Sequence, residues 1–142
     1  MPLTPPPDSR SVLPRLLIAD DDPVIRSTLS MALEARFEIV AVVADAHEAV
    51  TAASGGGVDA ALVDVDMPGG GGLAAVRGIL DASPSTALIV LSGDESDATV
   101  VGLLQAGAMS YCRKGVEPHQ LAETIERSIH AHRALQAAPR PA

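Results

Sequence analysis

The chain has 142 residues, of which 47% are apolar and 20% are charged, and its formal net charge at pH 7 is −8. This length suffices for one domain with one core, and 18 acidic against 10 basic residues argue against a surface that follows nucleic-acid phosphates. We therefore expect proteins or cations as partners and no nucleic acid. A single cysteine excludes an internal disulfide, no apolar run approaches the length of about 20 residues that spans a membrane, and the first residues, MPLTPPPDSR, lack the apolar core of a signal peptide. These features together predict a cytoplasmic location.

Both ends of the chain are rich in proline. Five prolines fall within the first fourteen residues, and the sequence AAPRPA closes the chain. Proline lacks a backbone N–H, so neither helix nor sheet is favoured in these stretches. We therefore expect disordered tails over residues 1–14 and 137–142, around a single domain at residues 15–136.

Short apolar runs alternate along this domain with segments of helical period. The predicted strands are RLLIA, FEIVAVV, DAALV, TALIVL and AMSYC, and the predicted helices cover 23–34, 45–53, 72–82, 96–106 and 117–136. Pro23 and Pro118 suit first helical turns, and Asp45 with Glu48 has the spacing of a capping box. Strict alternation, with connections too long for hairpins, predicts an α/β fold with a doubly wound, five-stranded parallel sheet and five helices.

Polar side chains follow four of these strands at the edge where ligands of such sheets gather. They are Asp20, Asp21 and Asp22 after the first strand, Asp64 after the third, Ser92 after the fourth and Lys114 after the fifth. Each alone suits a helix cap or a solvated charge, but their joint occurrence favours a site. Clustered carboxylates repel one another unless a cation neutralises them, and an oxygen-only site suits Mg²⁺. A carboxylate can also accept a phosphoryl group, although the residues alone leave open whether Asp64 or Asp66 does so.

Four stretches resemble the receiver domains of two-component response regulators: LLIADDDP, DVDMP, LIVLSG and AGAMSYCRKG. The resemblance covers nearly all of residues 15–136 and implies a flavodoxin-like fold of the receiver type. It implies that Asp64 is the phosphoacceptor, because Met67 and Pro68 follow it at the family's spacing. The metal ligands that it implies are Asp20, Asp21, Asp64 and the backbone carbonyl of Asp66. The residues that it assigns to phosphoryl binding and switching are Ser92, Lys114 and Tyr111, the last by a change of rotamer.

The resemblance also implies a function. The chain would be a switch and not an enzyme: it would take a phosphoryl group from a sensor histidine kinase or a phosphotransfer protein in a Mg²⁺-dependent reaction, and lose it by autodephosphorylation. Phosphorylation would change the protein-binding face that contacts a downstream target, or an output domain absent from this chain. A second copy of the chain is a further candidate partner. We expect either a stand-alone receiver or one excised from a longer regulator.

Two features depart from the simplest receiver pattern. Gly115 stands where many receivers have proline after the lysine, and three glycines precede the usual one at Gly72.

The alternative interpretation is a haloacid-dehalogenase-like phosphatase, because DVDMP also resembles the Asp-x-Asp motif of those enzymes. They normally carry that motif on the first strand, whereas here it follows the third, so the receiver interpretation is favoured. A degenerate receiver that only binds partners is less favoured still, because no key position is missing.

Overall fold

The computed structural model describes residues 13–93 and 97–137, and along them five strands alternate with five helices. The strands are β1 (Arg15–Ala19), β2 (Glu38–Val43), β3 (Ala60–Asp64), β4 (Ala87–Ser92) and β5 (Ser110–Arg113). The helices are α1 (Pro23–Leu33), α2 (Ala46–Ser54), α3 (Gly71–Ala82), α4 (Asp97–Ala106) and α5 (Pro118–Ala137). All strand pairs are parallel, in the order β2-β1-β3-β4-β5. The predicted doubly wound α/β fold is therefore confirmed.

The predicted domain limits fall partly outside the described residues. Residues 1–12, 94–96 and 138–142 lie beyond them, so the disorder expected of the tails stays a prediction. Within them, the carbonyl of Pro14 accepts a hydrogen bond of 2.9 Å from the N–H of Glu38, which attaches Pro14 to the start of β2. Helix α5 ends at Ala137, one residue beyond the predicted end, and alanine has the highest helix propensity.

The sheet separates two apolar layers. Because successive strand residues point to opposite faces, Leu17 and Val63 pack toward α2, α3 and α4, whereas Ile18 and Leu62 pack toward α1 and α5. The central strands β3 and β4 are buried along their whole length, as the continuous apolar runs predict for strands covered on both faces. Helix α5 buries Leu121, Ile125 and Ile129, which fixes this helix against the sheet.

Side chains cap the helices near the carboxyl end of the sheet. The Asp22 carboxylate accepts a hydrogen bond of 2.8 Å from the N–H of Val24, the second residue of α1. Asp45 accepts one of 2.7 Å from the N–H of Glu48 at the start of α2. The Glu48 carboxylate reaches back to the N–H of Ala44, one residue before the cap, at 3.0 Å. The predicted capping box is thus present in a slightly wider form.

The opposite end of the sheet is closed by α5. The Asp59 carboxylate, just before β3, accepts hydrogen bonds from the backbone N–H of Arg15 at 2.7 Å and from the guanidinium of Arg133 at 2.8 Å. On the residue before Arg133, Nε2 of His132 lies 2.8 Å from the carbonyl oxygen of Pro84 in the α3–β4 connection. The first strand and the last helix therefore meet at one carboxylate.

Helices α2 and α3 approach each other closely at Gly78. A Cβ atom placed on Gly78 would lie 2.5 Å from Cγ2 of Val50, a distance that real Cβ atoms do not adopt. The absence of a side chain at this position therefore allows the two helices to pack against each other.

Candidate functional site

Three aspartates meet at the carboxyl end of the sheet. Asp20 directly follows β1, and Asp64 ends the neighbouring strand β3. Both are fully buried, whereas Asp21 is exposed. One carboxylate oxygen from each of the three lies within 4.8 Å of the others. The adjacency of β1 and β3 in the sheet thus brings together side chains that are more than forty residues apart in the chain.

Backbone and side-chain donors hold the two buried aspartates. The N–H of Asp22 donates to Oδ1 of Asp20 at 2.9 Å, and the N–H of Asp66 donates to Oδ1 of Asp64 at 3.3 Å. The guanidinium of Arg26 donates to the backbone carbonyl of Asp20 at 2.8 Å. The sequence interpretation did not include Arg26, and its only signal was its position one turn into the helix that follows the acidic run.

Lys114 reaches this cluster from β5. Its Nζ atom lies 2.8 Å from Oδ1 of Asp64 and 3.6 Å from Oδ2 of Asp20. Its backbone N–H donates to the carbonyl of Ser92 at 2.8 Å, which joins the end of β5 to the end of β4. The lysine is therefore positioned by the sheet itself, and its charge faces the two buried carboxylates.

The pKa of Asp64 is raised to about 6, chiefly by burial; the hydrogen bond and charge of Lys114 oppose this increase, and the neighbouring charge of Asp20 adds to it. For Lys114, partial burial lowers the pKa, but the hydrogen bond and charge of Asp64 outweigh this and leave the pKa above its ordinary value. Lys114 is therefore protonated at neutral pH. A further positive charge, such as that of a divalent cation, would relieve the remaining repulsion between the aspartates.

The acidic cluster fits a divalent cation. Two buried oxygens, Oδ2 of Asp20 and Oδ2 of Asp64, have no hydrogen-bond partner within the described residues. Three carboxylates face one ammonium group, so the cluster retains excess negative charge, and carboxylate oxygens are the ligands that Mg²⁺ prefers. In the part of the chain that the structure describes, this is the one group of metal-ligating side chains so arranged.

Ser92 and Tyr111 occupy different environments. Ser92 ends β4 and is 4% exposed, one residue beyond Leu91, which pairs with Asp64 across the sheet. Tyr111 lies in β5 and is 49% exposed. Cys112 packs with α5, so Tyr111 lies on the opposite face of the strand, the side of the sheet that α4 covers. Ser92 thus borders the acidic cluster, whereas Tyr111 is a surface residue outside it.

The loop after Asp64 depends on its glycines. Gly69, Gly70 and Gly71 have φ angles of +88°, +103° and +72°, in the left-handed region that glycine adopts readily. A Cβ on Gly72 would lie 3.0 Å from Cα of Val65, and the N–H of Gly72 donates to the Val65 carbonyl at 2.7 Å. These glycines therefore fold the loop back against the strand end that carries Asp64, while the Asp66 side chain stays exposed.

Fold and site together define a class of protein: a doubly wound α/β domain in which a buried aspartate, an adjacent acidic pair and a lysine meet at the carboxyl end of a parallel sheet. Comparison with known proteins identifies the same class. The model of the response regulator receiver domain family matches residues 16–126. The chain belongs to this family, and the phosphatase alternative is set aside.

Relatives and solved structures support this membership. The chain is 30% identical over 118 residues to response regulator UvrY of Escherichia coli K12, an alignment that covers 82% of this chain and 54% of UvrY. A CheY-like receiver domain protein from Methanospirillum hungatei is 28% identical, with a TM-score of 0.78 over 87% of this chain and 98% of that one. A response regulator from Burkholderia pseudomallei, solved with a phosphorylated aspartic acid and a calcium ion, is 26% identical, with a TM-score of 0.73 over 90% and 75% of the two chains.

The chain spans about half the length of the first curated relatives that it matches. Among the described residues, none of the helices is long and apolar enough to cross a membrane. The cytoplasmic location stays a prediction.

Proposed function

We propose that this chain is a phosphorylation-switched signalling domain in which Asp64 accepts a phosphoryl group from a sensor histidine kinase or a phosphotransfer protein. The observation that carries the proposal is the environment of Asp64. It is fully buried at the end of a central strand, 2.8 Å from the ammonium of Lys114 and within 4.8 Å of the acidic pair. A purely structural aspartate would not be expected to stand beside two further carboxylates with one oxygen that receives no hydrogen bond from any described residue.

The proposed reaction is an in-line transfer. A carboxylate oxygen of Asp64 attacks phosphorus and forms a mixed anhydride, while the bond from phosphorus to the donor's imidazole nitrogen breaks and the imidazole keeps the electron pair. Asp20, Asp21, Asp64 and the backbone carbonyl of Asp66 would hold Mg²⁺, which when bound neutralises charge on the phosphoryl oxygens. The ammonium of Lys114 would move from the carboxylate to the phosphoryl group and supply the second positive charge.

Readout would follow from the residues around the new charge. On Asp64 the phosphoryl group carries about two negative charges where the free carboxylate carries one, and the hydroxyl of Ser92 and the ammonium of Lys114 are the groups proposed to bind it. Movement of the β4–α4 region toward the phosphoryl group would leave room for Tyr111 to change rotamer, and so alter the surface of β5 and its neighbours. A downstream protein, an output domain outside this chain or a second copy would detect that surface.

Labelling with a small acyl phosphate tests this function. With Mg²⁺ present, the chain should gain one phosphoryl group that survives acid but is lost to base and hydroxylamine, as expected of an acyl phosphate. Asp64→Asn should abolish labelling. Asp66→Asn is the matched control: it makes the same chemical change two residues away and should leave labelling intact, because only a backbone carbonyl is required there.

Metal dependence gives a second arm. Chelation, or Asp21→Asn, should abolish labelling, because the neutralising cation would no longer be held. Labelling that survived Asp64→Asn but was lost in Asp66→Asn would reject Asp64 as the acceptor. Repeated turnover of free phosphoesters without a stable labelled protein would indicate a phosphatase and contradict the switch.

A further inference from the structure

The side chain of Arg26 reaches from the first turn of α1 back to the end of β1. Its guanidinium is partly buried and donates a hydrogen bond of 2.8 Å to the backbone carbonyl of Asp20. Within the part of the chain that the structure describes, no carboxylate lies within ion-pair distance of Arg26. The arginine therefore binds a backbone carbonyl beside the acidic cluster and is not used in an ion pair.

This carbonyl belongs to the peptide group that joins Asp20 to Asp21. Because a peptide group is planar, a bond that holds its carbonyl also fixes the direction in which the chain enters Asp21. Asp20 is held at two further points: its N–H donates to the Val43 carbonyl at 3.0 Å, and its Oδ1 accepts from the N–H of Asp22 at 2.9 Å. Asp21 is exposed, and no hydrogen bond or ion pair with another described residue holds its carboxylate. The direction of that carboxylate therefore depends on the backbone.

We propose that Arg26 is a positioning residue for the metal. By holding the peptide group between Asp20 and Asp21, it fixes the relative orientation of the two carboxylates that would bind Mg²⁺. The inference rests on the function proposed above, because it takes the acidic cluster as the cation site. Arg26 would touch neither the ion nor the phosphoryl group. Loss of a residue that orients a metal ligand lowers metal affinity by about 10–100-fold in other proteins.

The positive charge of Arg26 has the opposite effect on the metal. A guanidinium near the cluster repels Mg²⁺, so its removal should by itself strengthen metal binding. Positioning predicts weaker binding instead, because Mg²⁺ requires nearly ideal ligand geometry and the two carboxylates would no longer be held in one arrangement. The sign of the change in affinity therefore distinguishes the two effects.

Titration calorimetry of the whole chain with Mg²⁺ tests the proposal. Arg26→Met, which keeps an apolar stem but has no donor, should raise the dissociation constant about tenfold. Arg26→Gln is neutral and too short to reach the carbonyl, and it should weaken binding similarly, so the result does not depend on the folding of one variant. Arg26→Lys keeps one ammonium donor, and its affinity should lie between those of the unmutated chain and Arg26→Met.

Arg36→Met is the matched control. Arg36 follows α1 and pairs with Glu126 on α5, so it also ties this helix to the domain, but at the end remote from the acidic cluster. The same chemical change at this position should leave the affinity for Mg²⁺ unchanged. Equal weakening in Arg26→Met and Arg36→Met would indicate a general loosening of α1 and would overturn the positioning role.

Labelling with the acyl phosphate supplies a second readout. In Arg26→Met the Mg²⁺ concentration that gives half-maximal labelling should rise by the same factor as the dissociation constant, whereas the rate at saturating Mg²⁺ should change by less than about twofold. Unchanged or tighter Mg²⁺ binding in Arg26→Met, or a loss confined to the rate at saturating Mg²⁺, would overturn the proposal. Calorimetry needs no phosphoryl donor, so failure of the unmutated chain to be labelled would refute the proposed function separately from the role of Arg26.

Discussion

Replacing Asp64 with asparagine should stabilise the metal-free protein at neutral pH. Burial next to Asp20 raises the pKa of Asp64 from 3.8 to about 6. Between these values the native protein holds a proton that the unfolded chain has released, so the free energy of unfolding falls as the pH rises through this window and is constant above it. Since one pKa unit corresponds to about 1.4 kcal/mol, the loss is about 3 kcal/mol at neutral pH.

Asparagine has the shape of neutral aspartate and carries no charge. Asp64→Asn should therefore remove this pH dependence and raise the free energy of unfolding at about pH 7 by about 2–3 kcal/mol. The attraction between Asp64 and Lys114 is already contained in the raised pKa. In the variant, Lys114 still has Asp20 as a partner at 3.6 Å.

Urea unfolding in the presence of a chelator, at about pH 4 and about pH 7, measures this difference. Asp66→Asn, at an exposed carboxylate, is the control and should change the free energy of unfolding by less than about 0.5 kcal/mol. Added Mg²⁺ should stabilise the unmutated chain more than the Asp64→Asn variant, because it binds only the folded acidic cluster. The reasoning would be refuted if Asp64→Asn were less stable than the unmutated chain at neutral pH without metal.

Three further predictions concern other parts of the molecule. Lys114→Ala should still fold and accept phosphate, but its partner binding should no longer respond to phosphorylation, and Ser92→Ala should weaken that response less. A normal response of both variants in a pull-down would contradict the proposed role of these two residues in switching. Gly78→Ala should lower the free energy of unfolding by about 1–3 kcal/mol, since its Cβ would clash with Val50. Gly102→Ala is the control and should not lower it, because a Cβ there meets nothing within 4 Å. Equal urea midpoints for these two variants would contradict the close packing of α2 against α3. The chain should not bind duplex DNA at physiological salt because of its charge of −8, and a salt-dependent gel shift would show otherwise.

The order of elements could be predicted because each is marked locally. Alternation of apolar runs with segments of helical period identifies a parallel sheet, and parallel strands place their carboxyl ends at one edge. The meeting of Asp20, Asp64 and Lys114 follows from that rule alone, without knowledge of side-chain rotamers. Their chemical roles depend on the resemblance to receivers and stay predictions.

Other features depend on tertiary contacts that have no local signature. The contact of Arg26 with the Asp20 carbonyl requires the helix to be in place against the strand end. The run of glycines after Pro68 could have been a tolerant loop, and only the backbone angles show that three of them adopt left-handed conformations.

The contacts at Asp59 have a mechanical consequence. A force that pulls the first strand and the last helix apart acts directly on the bonds from Arg15 and Arg133 to this carboxylate. These contacts lie at the amino end of the sheet, whereas the acidic cluster lies at the carboxyl end. Tension applied through β1 and α5 therefore acts first on the two hydrogen bonds to Asp59. Until these bonds break, the spacing of the aspartates at the carboxyl end is unchanged.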